Sequence, residues 1–259
     1  MNDLRGKTVL LTGASSGIGA ATATILGEAG AHIVSHYRSD IDDRAAAERA
    51  LAAVPGERKK FIAADYADLA SVDRLWKGAL AWRGRIDVLV LNAAITKIHD
   101  PIEDSDPESW TESWTSQWQV NVLGPARLMC AAIPQLKKQG GGVIVTMSSW
   151  VANRGASSPT QMAYAASKAG ITAAARTVAR AYARDNILCY MIAPGIVRTK
   201  MSEDFAAVFG GEEKLTATLA MGEWVPPGEI GHLIAFLATG KCRHLTGATL
   251  DVNGATYVR

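Results

Sequence analysis

The sequence predicts one α/β domain built on a doubly wound, seven-stranded and mostly parallel sheet, with helices on both faces and right-handed crossovers. Three observations predict it. Short apolar runs of strand type alternate with longer stretches of helical spacing. The first such run, residues 7–12, passes at once into Gly13, Gly17 and Gly19, and then into a helical stretch, residues 20–29, that ends at Gly30. No linker interrupts the 259 residues, so 1–259 reads as a single domain.

Composition narrows the function classes. An apolar fraction of 48% suits a globular protein with a substantial core. A net charge of +2, with no stripe of Lys and Arg, gives no reason to expect nucleic acid. The longest basic cluster, Arg58, Lys59 and Lys60, reads as a solvated edge before a strand. Cys130, Cys189 and Cys242 make neither a disulfide framework nor a zinc pattern. The N-terminus has no long apolar stretch, and no segment approaches the length of a membrane span, so a reducing cytoplasm is the expected home.

Strand, glycine loop and helix form the front half of a Rossmann-type dinucleotide-binding unit. The glycines let backbone N–H groups approach a pyrophosphate, and the helix N-terminus adds partial positive charge. The spacing is Gly-x-x-x-Gly-x-Gly, not the commoner G-x-G-x-x-G. Residues 31–36 read as the second strand, with Tyr37, Arg38 and Ser39 turning the chain at its carboxyl end. A carboxylate at such a turn suits the ribose hydroxyls of NAD, whereas an Arg suits the 2′-phosphate of NADP. Here Tyr37 and Arg38 favour NADP(H), with NAD(H) still possible. Asp40, Asp42 and Asp43 read as the acidic start of a helix, residues 42–54, that stops at Pro55 and Gly56.

A third strand, residues 60–64, leads to Asp65, and residues 68–82 have helical spacing. The fourth strand, residues 85–91, runs into Asn92, Ala93 and Ala94. The loop 95–107 carries His99, Asp100, Glu103, Asp104 and Asp106 without metal-ligand spacing, so it reads as a solvated loop and no metal is expected. Trp110, Trp114 and Trp118 then recur every four residues as one aromatic helix face, expected to be buried in the subunit or between subunits. Beyond Asn121, Gly124 and Pro125 disturb the helix. Residues 143–147 form a strand closing in Ser148 and Ser149; residues 186–193 form another, closing in Pro194 and Gly195. A variable stretch of about 200–225, a last helix from Pro226 and a final strand, 246–254, complete the chain.

The chemistry concentrates between residues 147 and 170. On a helix Tyr164 and Lys168 share one face, four residues apart. A free phenol has a pKa near ~10 and exchanges protons poorly at neutral pH. A neighbouring ammonium would lower it into the working range. The hydroxyls of Ser148 and Ser149 could bond a substrate oxygen, so the group suits reversible proton transfer at an alcohol or carbonyl.

Tyr164-Ala-Ala-Ser-Lys168, following a strand that ends in Ser-Ser, and Thr12-Gly-x-x-x-Gly-Ile-Gly19 together resemble the short-chain dehydrogenase/reductase family over nearly all of residues 7–257. The resemblance implies a catalytic set of Asn121, Ser149, Tyr164 and Lys168, in which Ser149 binds the carbonyl oxygen, Tyr164 donates the proton and Lys168 tunes Tyr164 and binds ribose. Asn121 would hold a relay water. It implies that Gly13, Ser15, Ser16, Gly17, Ile18, Gly19, Tyr37, Arg38, Ser39, Asp65, Asn92, Ala93, Ala94, Tyr164, Lys168, Pro194, Gly195, Val197 and Thr199 contact the cofactor. The stretch of about 200–225 would be the substrate lid. The family's Asn-Asn-Ala-Gly reads Leu91-Asn92-Ala93-Ala94 here, and the gap from Ser149 to Tyr164 is about two residues longer than usual. A homotetramer or homodimer is implied, since the aromatic helix matches one that packs between subunits. The expected substrate is a small carbonyl or alcohol, either a 3-oxoacyl thioester or a sugar, polyol or steroid alcohol. A silent nucleotide-sensing protein is the rival of a different class.

Overall fold

The structure, a computed structural model, describes residues 2–38, 41–98 and 102–259. Ser39, Asp40, His99 and Asp100 lie outside the described residues. In chain order the first elements are β1 (Thr8–Leu11), α1 (Gly17–Glu28), β2 (His32–Tyr37), α2 (Ile41–Ala50), β3 (Lys59–Ala63) and α3 (Leu69–Arg83). The middle of the chain adds β4 (Val88–Leu91), α4 (Pro107–Trp118), α5 (Gly124–Lys138), β5 (Gly142–Met147), α6 (Val151–Arg154) and α7 (Met162–Tyr182). It ends with β6 (Ile187–Pro194), α8 (Lys200–Phe209), α9 (Glu212–Thr216), α10 (Pro227–Ala238) and β7 (Thr249–Val252).

The sheet order is β3-β2-β1-β4-β5-β6-β7, and every pairing is parallel. The expectation of a mostly parallel sheet becomes a wholly parallel one, as crossover helices between all neighbouring strands require. Parallel strands covered on both faces read as continuous apolar runs. The four residues of β1 and of β4, and all eight of β6, are accordingly buried. One core lies under α1 and α10 around Leu26, Ile33, Tyr190 and Ile234. The other lies under α3, α5 and α7 around Leu75, Leu89, Leu128 and Ile171. Each such fully buried side chain contributes roughly 1.5–3 kcal/mol. Strand order reverses between β1 and β4, which opens a crevice at the carboxyl ends of the strands where ligands of this architecture bind.

Two local features near that crevice follow from side chains of α4 and the turn after it. The inward face of α4 is polar: Ser113 and Gln117 are buried, and Gln117 bonds the backbone of Lys97 in both directions, at 3.2 and 3.3 Å. Trp110 and Trp118 are therefore 38% and 41% exposed, while Trp114 between them is half-buried with its ring tilted against Trp110 and its indole N–H buried. Between α4 and α5 the chain winds as a π-helix over Gln119–Leu123. Pro125 has no N–H to give the Asn121 carbonyl, so the α-helical register cannot continue there. Gly124 is required by packing, since a Cβ there would lie 2.6 Å from the Tyr66 ring.

Candidate active site

The crevice holds a groove of ≈ 550 Å³. Its floor is the loop between β1 and α1. A Cβ on Gly19 would lie 1.8 Å from the Gly13 carbonyl oxygen, and one on Gly17 would press on Thr199 at 2.9 Å, so the loop accepts no side chain at either place. Asn92 clamps this loop, donating from Nδ2 to the carbonyls of Thr12 (2.9 Å) and Gly13 (3.0 Å). The Thr12 hydroxyl completes the clamp by accepting from the N–H groups of Asn92 and Ala93. Ser16 precedes α1 without capping it by its side chain, which leaves the first-turn N–H groups directed at the groove. This glycine cradle at an uncapped helix N-terminus fits the pyrophosphate of a dinucleotide.

Of the residues expected at the cofactor, Gly13, Ser15, Ser16, Gly17, Ile18, Gly19, Arg38, Asp65, Asn92, Ala93, Ala94, Tyr164, Lys168, Pro194, Gly195, Val197 and Thr199 all line the groove. Tyr37 does not. Strand alternation sends its buried side chain away from His36, and its hydroxyl meets Arg44 on α2. Ser39 lies outside the described residues.

Among the groove residues that the sequence did not point to, two make polar contacts with the glycine loop. His36 is buried, stacks on Tyr66 with ring centres 5.2 Å apart, and ties three elements together. Its Nδ1 accepts the Gly13 N–H at 3.1 Å, and its Nε2 lies 2.9 Å from the Ala64 carbonyl. The pair of contacts requires a neutral ring protonated on Nε2. Burial pushes its pKa down to about 4. Asp43 is the second. Although it opens α2, its carboxylate accepts from the Ser15 hydroxyl at 3.2 Å and lies 3.7 Å from Arg38.

At the other end of the groove, β5 delivers Ser148 and Ser149 and α7 delivers Tyr164 and Lys168. The two serines diverge. Ser148 turns onto Thr172 of α7 at 2.6 Å, whereas Ser149 stands beside the Tyr164 hydroxyl, near enough to oppose its shift. Lys168 is buried, donates to the Met147 carbonyl at 3.0 Å, and sits 5.7 Å from the centre of the Tyr164 ring. The expected lowering of the phenol by Lys168 is not what the structure gives. Burial pushes Tyr164 up to about 12, partly opposed by the Ser149 hydroxyl, and pushes Lys168 down to about 8. Desolvation disfavours both charged forms and outweighs their attraction at this separation.

Asn121, in the π-helical turn, is buried but does not line the groove. Its side chain accepts from the Ile95 N–H at 2.8 Å and donates to the Ile95 carbonyl and the Ser167 hydroxyl, at 2.9 and 3.0 Å. The amide is thereby committed to holding the loop that follows β4.

A second cavity of ≈ 300 Å³ adjoins the first. Ser149 and Tyr164 line both. Its walls include Phe205 and Phe209 of α8, Leu215 of α9, and Trp150. Trp150 packs in the cluster beneath α8 and α9 and also lines this cavity. Among the described residues no cluster of His, Cys, Asp or Glu could hold a metal ion, and no helix is long and apolar enough to cross a membrane.

The chain is similar along nearly its whole length to known oxidoreductases. A family model described as enoyl-(acyl carrier protein) reductase matches residues 13–255. The chain is 33% identical to oxidoreductase UcpA of Salmonella typhimurium, over 99% of this chain and 96% of that one. It is 31% identical to the 3-oxoacyl-[acyl-carrier-protein] reductase FabG of Vibrio cholerae, over 99% of each. The crystal structure of 3-ketoacyl-(acyl-carrier-protein) reductase from Brucella melitensis complexed with NADH superposes with a TM-score of 0.87 at 28% identity, over 99% of this chain and 100% of that one. With its wholly parallel sheet, glycine cradle and Ser149–Tyr164–Lys168 cluster, the chain belongs to the short-chain dehydrogenase/reductase family of oxidoreductases.

Proposed function

We propose that the protein is an oxidoreductase that moves hydride reversibly between a nicotinamide dinucleotide, NADP(H) in preference to NAD(H), and a carbonyl or secondary alcohol. The observation that carries this reading is the position of Ser149 and Tyr164 on the wall shared by the two cavities, one shaped for a dinucleotide and the other for a small substrate. When bound, the nicotinamide supplies or accepts the hydride. Ser149 donates to the substrate oxygen, and Tyr164 gives up its proton to that oxygen in reduction or takes it back in oxidation. Lys168, anchored on Met147, holds the positive charge that balances a phenolate and reaches the ribose hydroxyls. A relay through Asn121 would use its backbone carbonyl, because its side chain is committed to Ile95 and Ser167.

Arg38 at the groove edge supports the NADP(H) preference, since a guanidinium is a strong partner for a phosphate. The relatives that reduce 3-oxoacyl carriers favour reduction over oxidation of a sugar, polyol or steroid alcohol, and α8 and α9 would form the substrate lid. The outward face of Trp110, Trp118 and Leu123 supports a homo-oligomer, a tetramer or dimer, and three free thiols suit a reducing cytoplasm.

The test is Tyr164→Phe, which keeps the ring and removes only the proton. Turnover should fall by at least ~10²-fold while cofactor still binds. A variant with near-full turnover would overturn the mechanism; loss of cofactor binding with lost turnover would make Tyr164 structural instead.

A further inference from the structure

We propose that Arg154 selects substrates carrying an oxyanion, a carboxylate or a phosphate, close to the reacting carbonyl. The inference rests on the oxidoreductase reading above and names the substrate class of the same site.

Arg154 ends α6, the short helix that leaves β5 directly after Ser149 and Trp150. It lines the ≈ 300 Å³ cavity together with Ser149 and Tyr164. Among the described residues it is also the one ionised side chain lining that cavity, whose other described polar walls are uncharged groups such as Thr96, Gln161 and Thr218. Its guanidinium carbon lies 4.1 Å from the centre of the Trp150 ring. Stacking holds the plane of the group while leaving its N–H edge open to an acceptor.

Arg198 provides the comparison within the same molecule. Its guanidinium stacks on Trp224, also at 4.1 Å, but its edge is taken by Glu212 at 2.6 Å. Arg154 has the stack without the carboxylate: no Asp or Glu lies within ion-pair distance of it among the described residues. Other arginines, Arg83 and Arg176 among them, also lack a carboxylate partner among the described residues; what sets Arg154 apart is that it lines the cavity that Ser149 and Tyr164 line. An exposed cation held by its stack on Trp150 at the rim of a cavity whose other described walls are neutral, and which Ser149 and Tyr164 also line, is complementary to an anion brought by the substrate. The apolar walls from Phe205, Phe209 and Leu215 would then take a short hydrocarbon body.

The experiment compares matched pairs under saturating reduced cofactor: 4-oxopentanoate with its methyl ester, and dihydroxyacetone phosphate with dihydroxyacetone. In the wild-type enzyme kcat/KM should favour at least one anionic member, and the pair that shows the preference identifies carboxylate or phosphate. Arg154→Gln should cut that anionic-to-neutral ratio by about 10- to 100-fold, the range for a hydrogen bond to a charged group. Arg154→Lys, which keeps charge but loses the fork, should retain part of it. A wild-type ratio near or below one in both pairs overturns the proposal even if neither variant folds. So does a ratio unchanged in Arg154→Gln. Tyr164→Phe separates the two readings: an active variant with an intact anionic preference sinks the proton-donor assignment alone, whereas an inactive variant alongside a wild-type ratio near one sinks only the role of Arg154.

Discussion

Acid should loosen this protein through His36, by an amount that can be worked out. At pH 7 the ring is neutral in the folded chain and mostly neutral in the unfolded one, so it contributes little pH dependence. As pH falls below about 6.5, the unfolded chain binds a proton there. The folded chain resists until about 4, because the ring is buried and its Nδ1 is occupied by the Gly13 N–H. Unfolding therefore takes up a proton in this window, and stability falls with pH. Integrated from pH 7 to 5, one such group costs about 2 kcal/mol, and about 3 kcal/mol once pH reaches the folded value. Asp65, beside the ring, opposes the shift without cancelling it. His36→Gln supplies an amide with one acceptor and one donor for Gly13 and Ala64 but cannot titrate. Urea unfolding at pH 7 and pH 5 should show the wild type losing about 2 kcal/mol more than this variant, with all other carboxylates cancelling in the difference. Equal losses would refute the reasoning.

Gly19→Ala should abolish cofactor binding in a fluorescence titration, because the new methyl would occupy the Gly13 carbonyl; binding within twofold of wild type would contradict the cradle. Arg38→Ala should weaken NADPH more than NADH by roughly 1.5–3 kcal/mol, and Asp43→Asn should shift preference the other way by relieving the ion pair at 3.7 Å. Equal effects on both cofactors would remove the pair from this role. Light scattering should show an oligomer at micromolar concentration, and Trp118→Glu should shift it towards monomer; a monomeric wild type would mean that the Trp face is not an interface. Oxidation rate should rise with pH through an apparent pKa near 8, while reduction declines over the same range, because the first proton leaves the Tyr164–Lys168 pair there. Oxidation that is flat between pH 7 and 9 would count against this.

What could be read in the sequence was what has a period or a fixed spacing. The strands were legible because both-face burial makes them short apolar runs, and Tyr164 and Lys168 because a four-residue step on a helix fixes their relation. Residues whose partners come from remote elements were not legible. His36 is one polar residue in an apolar strand, and nothing local says that its ring reaches both Gly13 and Ala64. Asp43 looked like a helix-start carboxylate, which it is, but the return of the chain also places it against Ser15 and Arg38. The tryptophan face was visible, yet its direction was not. That depended on Gln117 finding the Lys97 backbone, which let a polar face turn inward. The choice between Ser148 and Ser149 rested on a strand end whose two hydroxyls diverge only once Thr172 is in place.

The reversed titration order of Tyr164 and Lys168 explains why these residues act as a unit. In water a tyrosine and a lysine titrate close together, near ~10. Here burial places the phenol near 12 and the ammonium near 8, so each charged form is disfavoured alone. At neutral pH the pair is phenol plus ammonium, the state that has a proton to give to a carbonyl. A phenolate formed as Tyr164 gives up that proton is stabilised by the ammonium, held nearby through Met147. If the ammonium were absent, the same phenolate would be a lone charge in a half-buried site and costlier to form. Lys168 thus acts less by shifting the resting phenol than by limiting the cost of its deprotonated form, and the Ser149 hydroxyl beside the same oxygen works in the same direction. The property that matters for turnover is therefore the charge balance of the pair.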